Sequence, residues 1–192
     1  MSAGHGHGPE HHDEGSKKIG LLIAVLALVL AFSETLGKGA QTEALVLNIE
    51  ASNLWAFFQA KTIRMTTLKT AAEAGALELA RSTDPKAKDL IENQIAGWRK
   101  NVERYDSEPE TNEGRKELAA RAKAAEQKRD RSLAAYHHYE TASGAVQIAI
   151  VLASASIITG LVVLVWVAGA LGAFGVAFSL IGFFWPTAVH LF

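Results

Sequence analysis

The last 52 residues of the chain, 141–192, contain no Asp, Glu, Lys or Arg. A helix needs about 20 apolar residues to cross the hydrocarbon core of a bilayer, so this segment predicts two transmembrane helices, over residues 141–168 and 172–192. The small residues around Gly169 and Gly172 predict the turn between them. A buried hairpin in a soluble protein is the alternative, but a chain of this size has too little else to cover two wholly apolar helices on every face.

A shorter apolar run near the N-terminus predicts a third span. Residues 19–32 contain only Ala, Gly, Leu, Ile, Val and Phe, and extension to Leu36 gives a helix over residues 19–36 that is long enough to cross a bilayer. Its one acid, Glu34, lies near the end, where the cost of burying a charge is smaller. A cleaved signal peptide is the alternative, but FSETLGKGA matches the small-residue cleavage site poorly.

Charge is confined almost wholly to the middle of the chain. Residues 38–140 hold 33 of the 39 charged side chains, 17 basic and 16 acidic, and the whole protein of 192 residues has a formal charge of −1. This balance disfavours the binding of nucleic acid through phosphate contacts. The absence of cysteine excludes disulfides, thiolate metal sites and cysteine nucleophiles.

The charged segment has the apolar spacing of coiled-coil helices. From Leu47 onward, apolar or small residues recur at alternating steps of four and three, and only Lys61 interrupts the series, where we expect an ion pair. A second helix repeats the pattern from Pro85, with Asp84 as its N-cap. The first series is Leu47, Ala51, Leu54, Phe58, Lys61, Met65, Leu68, Ala72, Gly75 and Leu79, and the second is Ile91, Ile95, Trp98, Val102 and Tyr105.

The lengths of these helices predict how they stack. The acidic segment 106–114 contains a proline and interrupts the returning arm, and a third helix over about 115–140 leads into the second span. The outgoing arm, 38–83, has 46 residues, and the return has 48 when the acidic segment is left out. We therefore expect an all-α membrane protein with three transmembrane helices and, between the first and second spans, a long antiparallel, coiled-coil-like hairpin over residues 37–140.

The outgoing arm has more apolar side chains than one packing seam requires, among them Trp55 and Phe57. A spare apolar face predicts a partner, most simply another copy of the chain, and the spans carry small residues at helix-packing spacing. We therefore expect a homo-oligomer in membrane lipid. The residues assigned to the seam or to the oligomer contact are Leu47, Leu54, Trp55, Phe57, Phe58, Met65, Leu68, Ile95, Trp98 and Val102.

Residues 1–18 are polar and rich in Gly and His, and we expect a flexible tail. Its four histidines, His5, His7, His11 and His12, with carboxylates beside them, form a candidate site for Zn, Ni or Cu. A solvated His-rich peptide also binds such ions adventitiously, and this alternative stays open.

A second candidate metal site lies where the third helix meets the membrane. The hairpin register brings His137 and His138 near Glu34. Because adjacent histidines point about 100° apart on a helix, such a site requires two subunits. The alternative is structural, with the neighbouring tyrosines in the interfacial aromatic belt and Glu34 as an interface residue or a proton-handling acid. For Gln147 we expect a hydrogen bond between spans.

Two lysines, Lys17 and Lys18, abut the first span, whereas Lys38 lies close on its other side. The positive-inside rule therefore favours a cytoplasmic N-terminus and an external central segment. Three basic residues within 128–131 favour the opposite orientation.

The stretch KKIGLLIAVLALVLAFSET, followed by TEALVLNIEASNLWAFFQAKTIR, resembles an uncharacterised bacterial membrane-protein family, domain of unknown function 4337. The resemblance covers nearly the whole chain, with the His-rich start and the two C-terminal spans included, and its most specific part is NLWAFFQAK, residues 53–61. It implies a protein of the bacterial inner membrane, and it assigns no activity and no functional residue.

The sequence contains no nucleophile–base arrangement, phosphate-binding loop or metal-hydrolase motif, so we do not expect an enzyme. We expect a homo-oligomeric membrane scaffold, and the alternative is a small channel or metal-linked transport protein with the tail as metal buffer or sensor. A pore-lining span repeats polar residues along one stripe. The last span has only Ser179, Thr187 and His190, which favours the scaffold.

Overall fold

The computed structural model describes residues 10–188, with side chains from Gly15 onward. Within that range the chain forms four α-helices and no strand: α1, Glu10–Arg81; α2, Pro85–Asp106; α3, Arg115–Thr159; and α4, Val162–Phe184. In this part of the chain α1, α3 and α4 are long and apolar enough to cross a membrane. The predicted all-α class with three potential spans is confirmed.

α1 is one helix of 72 residues that contains both the first predicted span and the outgoing arm. Residues 10–18, which the sequence assigned to a flexible tail, belong to this helix, and residues 1–9 lie outside the described part. Gly37 does not break the helix. It lies against Tyr139 of α3, whose Cβ is 3.1 Å from the position of an added Cβ.

The start of α2 is as predicted. Asp84 Oδ1 accepts a hydrogen bond from the backbone nitrogen of Lys86 at 3.1 Å. Pro85 occupies the first turn, where its missing N–H costs nothing. The expected cap is therefore confirmed.

The segment between α2 and α3, residues 107–114, is a loop held by tight backbone contacts. Asn112 adopts a φ of 56°, in the left-handed region that asparagine tolerates better than most residues. A Cβ on Gly114 would overlap the side chain of Glu117 and the backbone nitrogen of Glu108. The loop therefore requires glycine at position 114.

The turn between the last two helices lies earlier in the chain than predicted. Gly160 adopts a φ of +70° just after α3 ends, a conformation that favours glycine. α4 continues without a break through Gly172, so the predicted turn near this residue is wrong. A Cβ on Gly172 would lie 2.5 Å from Cδ2 of Leu26, so this glycine permits close helix packing instead. The apolar helices predicted at 141–168 and 172–192 correspond instead to the end of α3 and to α4.

The chain divides into two compact units. The first, which we call the apolar unit, comprises residues 1–44 and 130–192, and the second, the charged unit, comprises residues 45–129.

In the apolar unit α1 and α4 run in the same direction, and α3 runs opposite to them. Leu26 of α1 lies against Gly172 and Ser33 against Ser179, so positions on both helices increase together. Along α3 the order is reversed, because the earlier His138 contacts Gly182 while the later Val146 contacts Gly175. The buried apolar core of this unit consists of Leu26, Val146, Ala149, Ala153 and Ala168.

In the charged unit α1 contacts both α2 and α3. Gly75 lies against Ile95 of α2. Leu54 forms a buried cluster with Leu118 and Ala122 of α3, both of which are fully buried. The aromatic side chains around Leu54 pack against this cluster, so it is the apolar centre of the unit.

Candidate functional site

Polar side chains join the three helices of the apolar unit to one another. The hydroxyl oxygens of Ser33 on α1 and Ser179 on α4 are 2.8 Å apart and share a hydrogen bond. Gln147 on α3 donates through Nε2 to Oε1 of Glu34 on α1 at 3.1 Å. Gln147 therefore makes the expected hydrogen bond to another helix that is long and apolar enough to cross a membrane.

An open groove of about 450 Å³ lies beside these contacts, between α1 and α3. Its lining includes Glu34 and Lys38 from α1 and Tyr136 and Glu140 from α3. The Tyr136 hydroxyl donates to Glu140 Oε1 at 3.3 Å. The groove thus presents both signs of charge and a phenol, a combination that can bind a small polar group at the edge of an apolar segment.

The two histidines of α3 have different neighbours, and one chain does not assemble the predicted metal site. His138 is 1% exposed, and its Nε2 lies 3.1 Å from the carbonyl oxygen of Pro186. His137 is half-buried, with Nδ1 3.7 Å from Glu140 Oε2. Among the described residues no three His, Asp or Glu side chains are placed to hold a metal ion. The third predicted ligand, Glu34, is hydrogen-bonded to Gln147. A site shared between subunits remains a prediction.

The tail histidines lie at or beyond the edge of the described structure. His5 and His7 are outside the described residues, and His11 and His12 precede the first described side chain of α1. The predicted Zn, Ni or Cu site on the tail therefore remains a prediction.

The residues assigned to the seam or to the oligomer contact are covered within the chain. Leu54, Met65 and Ile95 are 6–7% exposed. Trp55 and Phe57 are half-buried and pack against the Leu118 cluster. The other residues of the set are likewise half-buried: Leu47, Phe58, Leu68, Trp98 and Val102.

Lys61, the charged member of the seam, is paired across the charged unit. Its Nζ lies 3.6 Å from Oε2 of Glu108, so the expected ion pair is confirmed. The same ammonium group lies 5.4 Å from the ring centroid of Phe57 and 5.1 Å from that of Tyr105. A single carboxylate and two aromatic rings therefore compensate the burial of this cation.

A polar cluster that the sequence does not predict closes the loop between α2 and α3. The Ser107 hydroxyl donates to Oε1 of Glu117 at 2.6 Å, and the backbone N–H of Glu108 donates to Oε2 at 3.1 Å. Asp106 lies 2.8 Å from Nζ of Lys116. We call these five residues the loop clasp. Glu117 occupies the third position of α3, but the residue three positions before it is Gly114, so the capping-box pattern, which begins with Ser or Thr, does not identify this glutamate.

The loop clasp shifts the pKa of its ionisable members. The hydrogen bond from Lys116 lowers the pKa of Asp106, and the reciprocal interaction raises the pKa of Lys116. The Ser107 hydroxyl, followed by the Glu108 N–H, lowers the pKa of Glu117. All three shifts favour the charged forms, so the clasp is most stable where both acids are ionised and the lysine is protonated.

The comparisons with known proteins agree with the resemblance noted in the sequence. No curated protein and no solved structure matched the chain. One family profile did match, over residues 15–185, and it is described as a domain of unknown function, DUF4337. The match leaves the first 14 residues, with the four tail histidines, outside the region of similarity. Because it covers most of the chain, the protein belongs to the DUF4337 family.

Proposed function

We propose that the protein is a homo-oligomeric scaffold of the bacterial inner membrane, with three spans and a helical hairpin that projects from the bilayer. The observation that carries the proposal is the apolar surface left exposed on an otherwise charged unit. Ile49, Ile63 and Leu77 of the charged unit are 60%, 66% and 63% exposed. Exposed apolar side chains that recur along one helix favour contact with a further protein surface.

The surface of the apolar unit supports its location in a bilayer. In the most apolar 18-residue stretches of α1, α3 and α4, 11%, 33% and 17% of the residues are buried. Lipid acyl chains or further copies of the protein would contact the exposed apolar residues of these helices. Lys17 and Lys18 favour a cytoplasmic N-terminus by the positive-inside rule.

The order of contacts within the charged unit supports a hairpin. Along α1, Gly75 lies against Trp98 of α2, whereas Leu54 packs against Leu118 of α3. This order is expected when α2 and α3 follow one another along one side of α1. The alternating spacing of the covered residues supports coiled-coil-like packing over residues 37–140.

The mass of the detergent-solubilised particle tests the scaffold. Native mass spectrometry of the full-length protein should give an integer multiple, two or more, of the chain mass of 20.6 kDa. A variant that lacks residues 1–18 should keep the same number of copies, because the proposed contacts lie elsewhere. A single-chain mass in mild detergents and in lipid nanodiscs would contradict the proposal.

The polar groove of the apolar unit favours a second candidate, a small channel or metal-linked transport protein. An ionisable residue on a span-forming helix, such as Glu34, is a common feature of ion pathways. Flux of K⁺ and Zn²⁺ into liposomes tests this candidate with wild type, Glu34→Gln and the variant that lacks residues 1–18. Flux that Glu34→Gln abolishes would support it, and silent wild-type liposomes would contradict it.

A further inference from the structure

α1 carries two series of residues at alternating steps of three and four. The first, which starts at Leu47 and is called here the inner seam, has no exposed member. In the second, the outer seam, nine of ten members are exposed and Ala60 is half-buried. The outer seam consists of Val46, Ile49, Asn53, Ala56, Ala60, Ile63, Thr67, Thr70, Ala74 and Leu77.

The two seams lie on nearly opposite sides of α1. At 3.5 residues per turn they point roughly 150° apart, so the helices that cover the inner seam leave the outer seam exposed within the described chain. Val46 and Leu77, at its two ends, are 59% and 63% exposed. An open groove of about 620 Å³ follows its middle, around Ile63 and Thr67.

We propose that the outer seam binds the outer seam of a second copy of this chain, in parallel and in register, as a two-stranded coiled coil. The inference rests on the proposed homo-oligomeric function and names the surface that makes the contact. The spacing is the one that allows identical helices to interdigitate. Copies in one membrane enter it through the same helix, so their outer seams run in the same direction.

Asn53 favours an identical copy over an unrelated partner. In a parallel pair in register, Asn53 faces the same residue of the second copy, and the two amides offer each other a donor and an acceptor. A single asparagine at a core position of a coiled coil fixes the register and the two-stranded state at some cost in stability.

The charges around the outer seam fit this arrangement. No member of the seam is charged, so pairing buries no uncompensated ion. Flanking positions five residues apart meet across a parallel pair, which places Gln59 beside Arg64 of the second copy, where a hydrogen bond can form. Only Glu73 and Glu78, at the end of the seam, bring like charges together.

The size of the face is sufficient for a stable contact. From Val46 to Leu77 the seam covers 31 residue steps, roughly 47 Å of helix. A third of the surface of such a helix is roughly 600 Å², so two copies bury roughly 1,200 Å². This value reaches the lower bound of about 1,200–2,000 Å² for specific, stable interfaces.

Cysteine cross-linking in native membranes tests the proposal, because the chain has no cysteine of its own. Ala56→Cys places a thiol on the outer seam, opposite its counterpart. Ala76→Cys is the matched control: the same substitution at an exposed residue of α1 beside the groove that faces α2. Under mild oxidation the disulfide-linked dimer of Ala56→Cys should exceed that of Ala76→Cys by about tenfold, since a disulfide requires α-carbons within about 7 Å.

The possible results separate this inference from the proposed function. A multimeric particle in which Ala56→Cys forms no more dimer than Ala76→Cys would overturn the outer-seam contact and leave the scaffold standing. A single-chain particle would overturn both. As a second variant, Ile63→Glu on the Ala56→Cys background should abolish the dimer by burying a charge. An unchanged yield would also contradict the outer-seam contact.

Discussion

Lys61 and Glu108 form an ion pair across the charged unit, with 3.6 Å between Nζ and Oε2. The lysine is 6% exposed in the middle of an otherwise apolar or small-residue series, and the glutamate lies in the loop after α2. The pair thus ties the seam of α1 to the loop that separates α2 from α3.

Removal of the Glu108 carboxylate should destabilise the protein more than removal of the Lys61 charge. Glu108→Gln leaves the Lys61 ammonium without a carboxylate and should destabilise the protein by about 1–3 kcal/mol, less than the roughly 3–5 kcal/mol of a fully buried pair. Lys61→Met keeps the apolar stem without the charge and should cost less, because the Glu108 carboxylate that it leaves is 21% exposed and lies 3.9 Å from Nε of Arg104. Thermal unfolding of the full-length protein in detergent measures both, and equal losses for the two variants would contradict this account.

Acid should open the loop clasp. The pKa values of Asp106 and Glu117 are lowered by folding from ordinary values of 3.8 and 4.5, so these groups stabilise the clasp above those values and lose that contribution as pH falls through the folded pKa. The pKa of Lys116 is raised by folding from its ordinary value of 10.5. This lysine therefore contributes fully to stability below pH 10.5, and the contribution is lost as the pH rises through the folded pKa.

Hydrogen exchange at one amide reports this opening. The Glu108 N–H donates to Glu117, and its protection factor, corrected for the intrinsic pH dependence of exchange, should fall as the pH drops below 4.5 and through the lowered pKa of Glu117. Glu117→Gln should reduce the protection at neutral pH and weaken its pH dependence. Protection that is unchanged by acid in the wild type would show that the carboxylate does not hold this amide.

Two glycines of α4 should respond differently to the same substitution. A Cβ at Gly175 would overlap Val146 and lie 3.1 Å from the carbonyl oxygen of Ala142, whereas a Cβ at Gly169 has no neighbour within 4 Å. Gly175→Ala should therefore destabilise the apolar unit by about 1–3 kcal/mol through overpacking. Gly169→Ala should be neutral or stabilising by up to about 1 kcal/mol. Melting temperatures in one detergent compare them, and an equal response would contradict the close packing at Gly175.

Binding of Zn²⁺ or Ni²⁺ should reside in the N-terminal histidines. Deletion of residues 1–14 should abolish the binding that titration calorimetry detects for the full chain, because His-X-His segments chelate such ions. His137→Ala should leave it unchanged, since no metal-binding group is assembled among the described residues. Binding that survives the deletion and is lost with His137→Ala would instead support the site shared between subunits.

Local chemistry made much of the fold predictable. Asp84 and Pro85 predict the start of α2, because an N-cap and a proline at the first position act within one turn of helix. The three potential spans follow from length and apolar content. The inner-seam residues follow from their spacing, because a covered face of a helix must recur every three or four residues.

The features that were missed depend on contacts distant in sequence. Both Gly160 and Gly172 lie in apolar sequence that gives no sign of their different roles. Gly160 forms the turn between α3 and α4, whereas Gly172 lies within α4 and allows Leu26 to pack closely against it. The clasp between Ser107 and Glu117 requires knowledge of where the loop folds back. The hydrogen bond from Trp55 Nε1 to Glu126 Oε1, at 2.8 Å, is another contact between residues far apart in sequence.

An image of the solubilised particle distinguishes an oligomeric scaffold from a single-chain protein. Single-particle electron microscopy of the full-length protein in a lipid nanodisc would show the number of copies and the position of the charged unit together. We predict two or more copies around a common axis, with paired helical rods that project from one face of the disc. A single copy, or a particle with no density outside the disc, would contradict a membrane scaffold built on this helical hairpin.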